Sequence, residues 1–227
     1  MTNWSIESLN PVQRKIVKHK SGPALVIAGA GSGKTRVITH RVAELIHSGI
    51  PASSILLLTF TNKAANEMAL RVSRALKNTT EQQKIIHGTF HSVGSRFLRR
   101  NAKLLNYKNN FSILDSSDSR DLIKASLAET IGKPGKYFPK AAVLQNIFSL
   151  AFNRFCTHKM ILELVYQERN FHLEQLLSAD YPHFSEHIDI FLNVLSCYRR
   201  KKKRGQVMDF DDLLENLLEL LLRHGEG

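Results

Sequence analysis

The stretch ALVIAGAGSGKT, residues 24–35, runs from an apolar segment through three glycines into an amine and a hydroxyl. These residue types can hold phosphate. Glycines reach positive φ and let backbone N–H groups converge on an anion. A helix starting there adds its dipole and unpaired donors. Ala28, Gly29, Ala30, Gly31, Ser32 and Gly33 would form the cradle, Lys34 would neutralise β- and γ-phosphate charge, and the Thr35 hydroxyl suits Mg²⁺. The spacing follows GxxxxGK[ST], with Ala28 at the first glycine. A glycine-rich turn without a ligand is the competing reading. Arg36 could contact or stack on a nucleotide, or be a plain surface arginine.

Other side chains could read bases and strands. The Gln13 amide can pair with the N6/N7 edge of adenine, or simply face solvent from a helix. Phe60 could stack on a base, and Thr61, Asn62 and Lys63 could touch phosphates. The alternatives are core packing for Phe60 and helix capping for Thr61 or Asn62. Thr89 and His91 end another apolar run in the same way. Asp209, Asp211 and Asp212 offset a helix dipole in a first turn and are not read as a metal site. The run RRKKKRG, 199–205, suits either phosphate attraction or a solvated helix end. A guanine-selective Asn-Lys-x-Asp is absent.

Positioning these residues requires alternating elements. Residues 5–19 read as a helix, with Pro11 in its first turn. GPALVIAG, 22–29, reads as a strand buried on both faces, and 33–48 as a helix. Strands at 54–60 and 84–90 and helices at 63–77 and 91–105 complete a parallel α/β pattern. From about 111 to 205 the period becomes helical, with a loop at 129–140, helices at 141–156 and 158–178, a turn at 180–184 and a helix to about 200. A last amphipathic helix runs from 209–212 to about 222. The fold expected is a P-loop α/β parallel sheet with an inserted all-helical subdomain.

The 227 residues are 43 % hydrophobic, enough for a core, and carry a net charge of +12. That basicity, with a pI near 9.9, suits nucleic acid or an anionic surface. Two distant cysteines, Cys156 and Cys197, exclude a disulfide framework or a paired-cysteine metal site and fit a cytosolic chain. No secretory leader and no apolar run of about 20 residues point to a membrane. Trp4 reads as a packing or surface residue.

Five ordered segments resemble the UvrD/Rep-type DNA helicases of superfamily 1A. LNPVQRKIV (9–17) looks like the Q motif, AGAGSGKTRV (28–37) like motif I, and LLLTFTNKAANEMALRV (56–72) like motif Ia. GTFHS (88–92) is similar to motif Ib, and MDFDDLL (208–214) to the motif ahead of the Walker B strand. The resemblance implies a RecA-like subdomain over 1–110, a helical insert over 111–205 and a return over 206–227. It implies ATP and Mg²⁺ as cofactors, with Gln13 on adenine, and DNA contacts at Phe60, Thr61, Asn62, Lys63, Thr89 and His91. Single-stranded and duplex DNA are the implied partners, together with C-terminal helicase domains of the same polypeptide. Walker B would follow residue 227, so the piece alone is expected to hydrolyse little ATP. A nucleotide-regulated binding module and a P-loop phosphotransferase stay open beside the helicase.

Overall fold

The computed structural model describes residues 5–76, 85–133, 135, 138–154 and 171–224. Trp4, Cys156 and most of the helix expected over 158–178 lie outside them. The described chain is mixed α/β and mostly helical, with two small parallel sheets. It divides into two compact units, residues 1–93 and 94–227.

In the first unit, the helix expected over 5–19 is broken. A 3₁₀ turn covers Ile6–Ser8, Leu9 is extended, and α1 is Pro11–Val17. The break comes from a cap. Asn10 Oδ1 accepts from the Gln13 N–H at 2.8 Å, and Gln13 Oε1 accepts from the Asn10 N–H at 3.2 Å. This reciprocal box fixes the helix start, and Pro11 in the first turn loses no bond there. Then follow α2 (Lys34–His47), β1 (Leu56–Thr59), α3 (Asn62–Ala75), β2 (Ile86–Thr89) and α4 (Phe90–Asn101), which continues into the second unit. β1 and β2 are parallel, in register from Leu56↔Ile86 to Thr59↔Thr89. Val42, Ala43, Leu57, Val72 and Ile85 form the main core, while Leu9, Val17 and Val37 join α1 to α2.

The doubly buried strand expected over 22–29 is not formed. Among the described residues it pairs with no strand, and Leu25 and Ile27 are 90 % and 91 % exposed. Apolar composition favours burial, but a strand exists only with neighbours about 4.8 Å from its edge. Here the sheet holds β1 and β2 alone among the described residues, and no strand lies beside this run, which stays exposed.

The second unit contains β3 (Ser112–Ile113), α5 (Ser116–Ile131), α6 (Ala141–Arg154), α7 (Phe171–Asp180), α8 (Ile188–Gly205), β4 (Val207–Met208) and α9 (Phe210–His224). Asp115 caps α5 by accepting from the Ser117 and Asp118 N–H groups. The helix runs to Ile131, slightly into the loop expected over 129–140. Residues 182–187 form a 3₁₀ helix at the expected turn. The parallel pair β3–β4 was not anticipated, because two residues carry no period. Ile123, Leu144, Ile147, Leu176, Phe191 and Val194 build a helical core, with the free thiol Cys197 also buried on α8. Leu98, Phe111, Met208 and Leu213 build another. Among the described residues no helix is long and apolar enough to cross a membrane.

Several cations of the basic run at the end of α8 pair within this unit. Lys202 is 5 % exposed, and its Nζ lies 2.6 Å from Asp209 Oδ2 and 2.7 Å from Asp212 Oδ2. Lys203 donates to the Leu105 carbonyl and sits 3.7 Å from the Tyr107 ring centroid. Lys201 and Arg200 pair with Glu129 at 2.7 and 3.4 Å, and Lys201 above all holds that carboxyl below its usual range. Within the run Lys202 alone is buried, while Arg200, Arg204 and Gly205 stay exposed at the helix end. Asp209 and Asp212 also cap α9 reciprocally through each other's N–H groups.

Two carboxylates share one buried ammonium, so they titrate apart. The Lys202 charge draws Asp209 below its usual value against the effect of burial. Burial, with the Asp209 charge adding to it, pushes Asp212 up to about 6. An unfolded aspartate titrates near 3.9. Between those values the folded chain holds a proton that the unfolded chain does not, so this group's contribution to stability grows as pH falls from about 7 toward 4. Asp212→Asn is expected to remove that slope. Urea unfolding of both forms across this range checks it: their difference should change with pH and level off above about 7.

Candidate nucleotide and nucleic-acid site

The first unit holds two groups of the expected residues. One surrounds the glycine-rich loop. Gly31 and Gly33 adopt φ of 76° and 84°, and Gly33 caps α2 from the left-handed region. A side chain is disfavoured at Gly33 twice over: by its φ, and because a Cβ would stand 3.0 Å from Gln13 Nε2. The Ser32 hydroxyl turns inward and donates to the Gly29 carbonyl at 2.8 Å. Lys34 folds back from the first turn of α2, its Nζ donating to the Ala28 carbonyl at 3.1 Å and the Gly29 carbonyl at 2.7 Å. The ammonium therefore already lies against the loop that would receive an anion. Ala30 is exposed in the loop, and Thr35 is half-buried in the next position of the helix.

Gln13 and Arg36 are not idle. Gln13 Nε2 donates to the Ser32 carbonyl at 3.0 Å while its Oε1 serves the Asn10 cap. One amide thus ties the start of α1 to the phosphate loop. Arg36 donates to the Ser8 carbonyl at 3.1 Å and the Ser8 hydroxyl at 2.9 Å, which orients it toward the N-terminal turn. Asn10 and Ser8 were missed as members of this network. The Asn10–Pro11–Val12–Gln13 spacing of a capping box was the available signal for Asn10; Ser8 offered none, because its link to Arg36 spans 28 residues.

The second group gathers at the C-terminal ends of β1 and β2, the edge where open α/β sheets place ligands. Phe60 is 91 % exposed, so core packing does not explain it. Its ring centroid lies 5.8 Å from that of Phe90, which the sequence reading passed over. Thr61 Oγ1 accepts from the Ala64 N–H at 3.2 Å and caps α3. Asn62 and Lys63 follow, exposed, in the first turn. Thr89 accepts from the Ser92 N–H at 3.2 Å, while its own N–H donates to Ser92 Oγ at 2.9 Å. His91 is half-buried beside them on α4. Two helices thus begin side by side at one sheet end, presenting N-terminal N–H groups and positive dipole ends.

A family model, the UvrD/REP helicase N-terminal domain, matches residues 9–226. The chain belongs to this family. Both the glycine-rich loop and the paired strand ends lie within the matched region, so UvrD/Rep membership covers both groups of residues. The ATP-dependent DNA helicase PcrA of Bacillus subtilis (strain 168) is 36 % identical over 224 residues, 98 % of this chain and 27 % of its own length. The proteins of the same name from Staphylococcus aureus (strain Mu50) and Staphylococcus epidermidis are each 34 % identical over 97 % of this chain and 27 % of theirs. The chain therefore spans about a quarter of the length of these relatives.

Proposed function

We propose that this chain is the N-terminal, ATP-binding portion of an ATP-dependent DNA helicase, which couples ATP hydrolysis to translocation on single-stranded DNA and to unwinding of duplex. The observation that carries the reading is the glycine-rich loop at the head of α2, with Lys34 turned onto it. In this reading the backbone N–H groups of residues 29–35 and the Lys34 ammonium hold the triphosphate, and Thr35 supplies an oxygen to Mg²⁺. Gln13 keeps one N–H and lone-pair capacity beyond its two bonds, enough to meet an adenine edge. Arg36 reaches the nucleotide only by leaving Ser8. ATP, when bound, supplies the phosphoanhydride whose cleavage drives movement.

The resemblance implies an Asp-Glu pair that would position metal and water, and no Asp-Glu dipeptide occurs among residues 1–227. The chain by itself binds nucleotide and turns over little. Domain closure, which converts hydrolysis into steps, likewise needs a second domain. Residues 1–110 and 206–227 are read as the RecA-like subdomain and 111–205 as its helical insert; the helical core from Ile123 to Tyr198 supports that division.

The DNA strand is placed across the C-terminal ends of β1 and β2. Phe60→Ala is expected to weaken single-strand binding by about 1–3 kcal/mol, the worth of one stacked base. Phe60 is exposed, so the fold should tolerate the change. Fluorescence anisotropy of a labelled thymidine oligonucleotide measures it. The logarithm of affinity should fall with that of salt, with a slope of roughly −0.7 per phosphate neutralised. Unchanged affinity would take the base away from this ring.

A further inference from the structure

Both strands of the first sheet end in the same dipeptide: Thr59-Phe60 on β1 and Thr89-Phe90 on β2. Thr59 and Thr89 are register partners, so the two phenylalanines each follow a matched pair at one sheet end. Their centroids are 5.8 Å apart and their planes tilted by 44°. A base inserted between two rings needs about twice the ~3.4 Å stacking rise, so this pair does not sandwich one. The rings are also unequal. Phe60 is 91 % exposed and sits in the bend between β1 and α3, whereas Phe90 is 41 % exposed and is the first residue of α4. Phe90 is fixed from both sides, by the paired strand before it and by the Thr89–Ser92 exchange of hydrogen bonds after it.

We propose that Phe90 is the positioning residue for Phe60: its anchored ring holds the exposed one at the sheet end, with one face open to a single unpaired nucleobase. Stacking tolerates any base, so the ligand is a single strand of either purines or pyrimidines. This rests on the reading that a DNA strand crosses this edge. Without its neighbour the Phe60 ring samples several rotamers, and the strand must bear the entropy of ordering it.

The test uses the 227-residue chain and a fluorescein-labelled thymidine oligonucleotide, with Phe60→Ala, Phe90→Ala, the double variant, Phe90→Leu and Phe90→Tyr. Phe60→Ala should weaken binding about 5- to 100-fold. Phe90→Ala should weaken it about two- to tenfold, the worth of an aromatic pair. The double variant should bind no more weakly than Phe60→Ala, because Phe90 acts through that ring. Phe90→Tyr should restore wild-type affinity, while Phe90→Leu, which keeps bulk without a ring, should not. Binding of a fluorescent ATP analogue should be unchanged throughout. Should Phe90→Ala prove unstable in thermal melts, the Leu and Tyr variants decide the matter. Full affinity in Phe90→Leu would overturn the proposal, as would additive losses in the double variant, which would put Phe90 on the DNA itself. Wild-type affinity in Phe90→Ala beside a loss in Phe60→Ala would also overturn it, and would leave the strand reading standing. Wild-type affinity in both single variants would remove the strand reading as well.

Discussion

Lys34→Ala is expected to leave the chain folded and to cost it at least about 100-fold in affinity for ATP. The side chain is exposed, and among the described residues its bonds go to the Ala28 and Gly29 carbonyls of the loop it follows. α2 starts from the left-handed Gly33, not from the lysine side chain, and its core contacts are made by Val37, Val42 and Ala43. An exposed substitution of this kind changes stability by about 0.5 kcal/mol or less. Binding is different. Charge-assisted hydrogen bonds contribute about 1.5–3 kcal/mol each, and an ammonium on a triphosphate makes more than one. Two such bonds correspond to a 100-fold loss or more, since about 1.4 kcal/mol is a factor of ten. Titration with a fluorescent ATP analogue, beside a thermal melt, separates the two effects. Retained affinity with an unchanged melt would assign the triphosphate to other residues.

The loop is also held from outside. Gln13 joins the Asn10 cap to the Ser32 carbonyl, and Arg36 joins the helix behind the loop to Ser8. Sequence separations of 19 and 28 residues are closed by two side chains, so the N-terminal turn and the loop report on each other. A ligand that drew either side chain toward itself would loosen that connection. In the proposed reading, nucleotide binding would be linked to the placement of α1 through these hydrogen bonds, beside the packing of Leu9 and Val17 on Val37.

What the sequence made legible follows from how local each cause is. Gly31 and Gly33 stand where the backbone needs positive φ, and Lys34 starts the next helix, so motif and geometry coincide. Thr61 and Thr89 were readable as residues at strand ends, and capping was the stated alternative for Thr61; both cap. Strand partners are another matter. The run 22–29 and β1 look alike in composition, yet only β1 found a neighbour, and a neighbour is decided by residues 30 or more positions away. The Phe60–Phe90 pair was hidden for the same reason, since its register appears only once β1 and β2 are set side by side. Lys202 was the least legible. It sits inside six consecutive basic residues, 199–204, and only its place four residues after Tyr198, on the stripe of Phe191, Leu195 and Tyr198, marks it as the one that turns inward.

That lysine gives the largest stability effect expected of a single side chain here. Its Nζ contacts Asp209 and Asp212 and lies 4.3 Å from the Tyr198 ring centroid, while the Tyr198 hydroxyl donates to Asp209 Oδ2 at 2.7 Å. The group joins the end of α8 to the start of α9 across β4. One positive charge serves two buried negative ones, so its removal leaves both carboxylates without a counter-ion. Lys202→Met keeps the aliphatic bulk and deletes only the charge. Breaking a buried ion pair from one side costs about 3–5 kcal/mol, far beyond the roughly 0–1 kcal/mol of an exposed pair. The loss should shrink on acidification. Without the ammonium both aspartates have raised folded-state affinities for protons, and a raised carboxyl pKa gives back stability as pH falls. Urea unfolding at pH 7 and at pH 5 should therefore show a larger defect at neutral pH. The variant Lys202→Met/Asp209→Asn/Asp212→Asn removes the stranded charges and should recover most of the loss, because it is the uncompensated carboxylates that destabilise. A defect below about 1 kcal/mol at pH 7, or one that grows on acidification, would mean that solvent screens this cluster and that the α8–α9 junction is held by its apolar core alone.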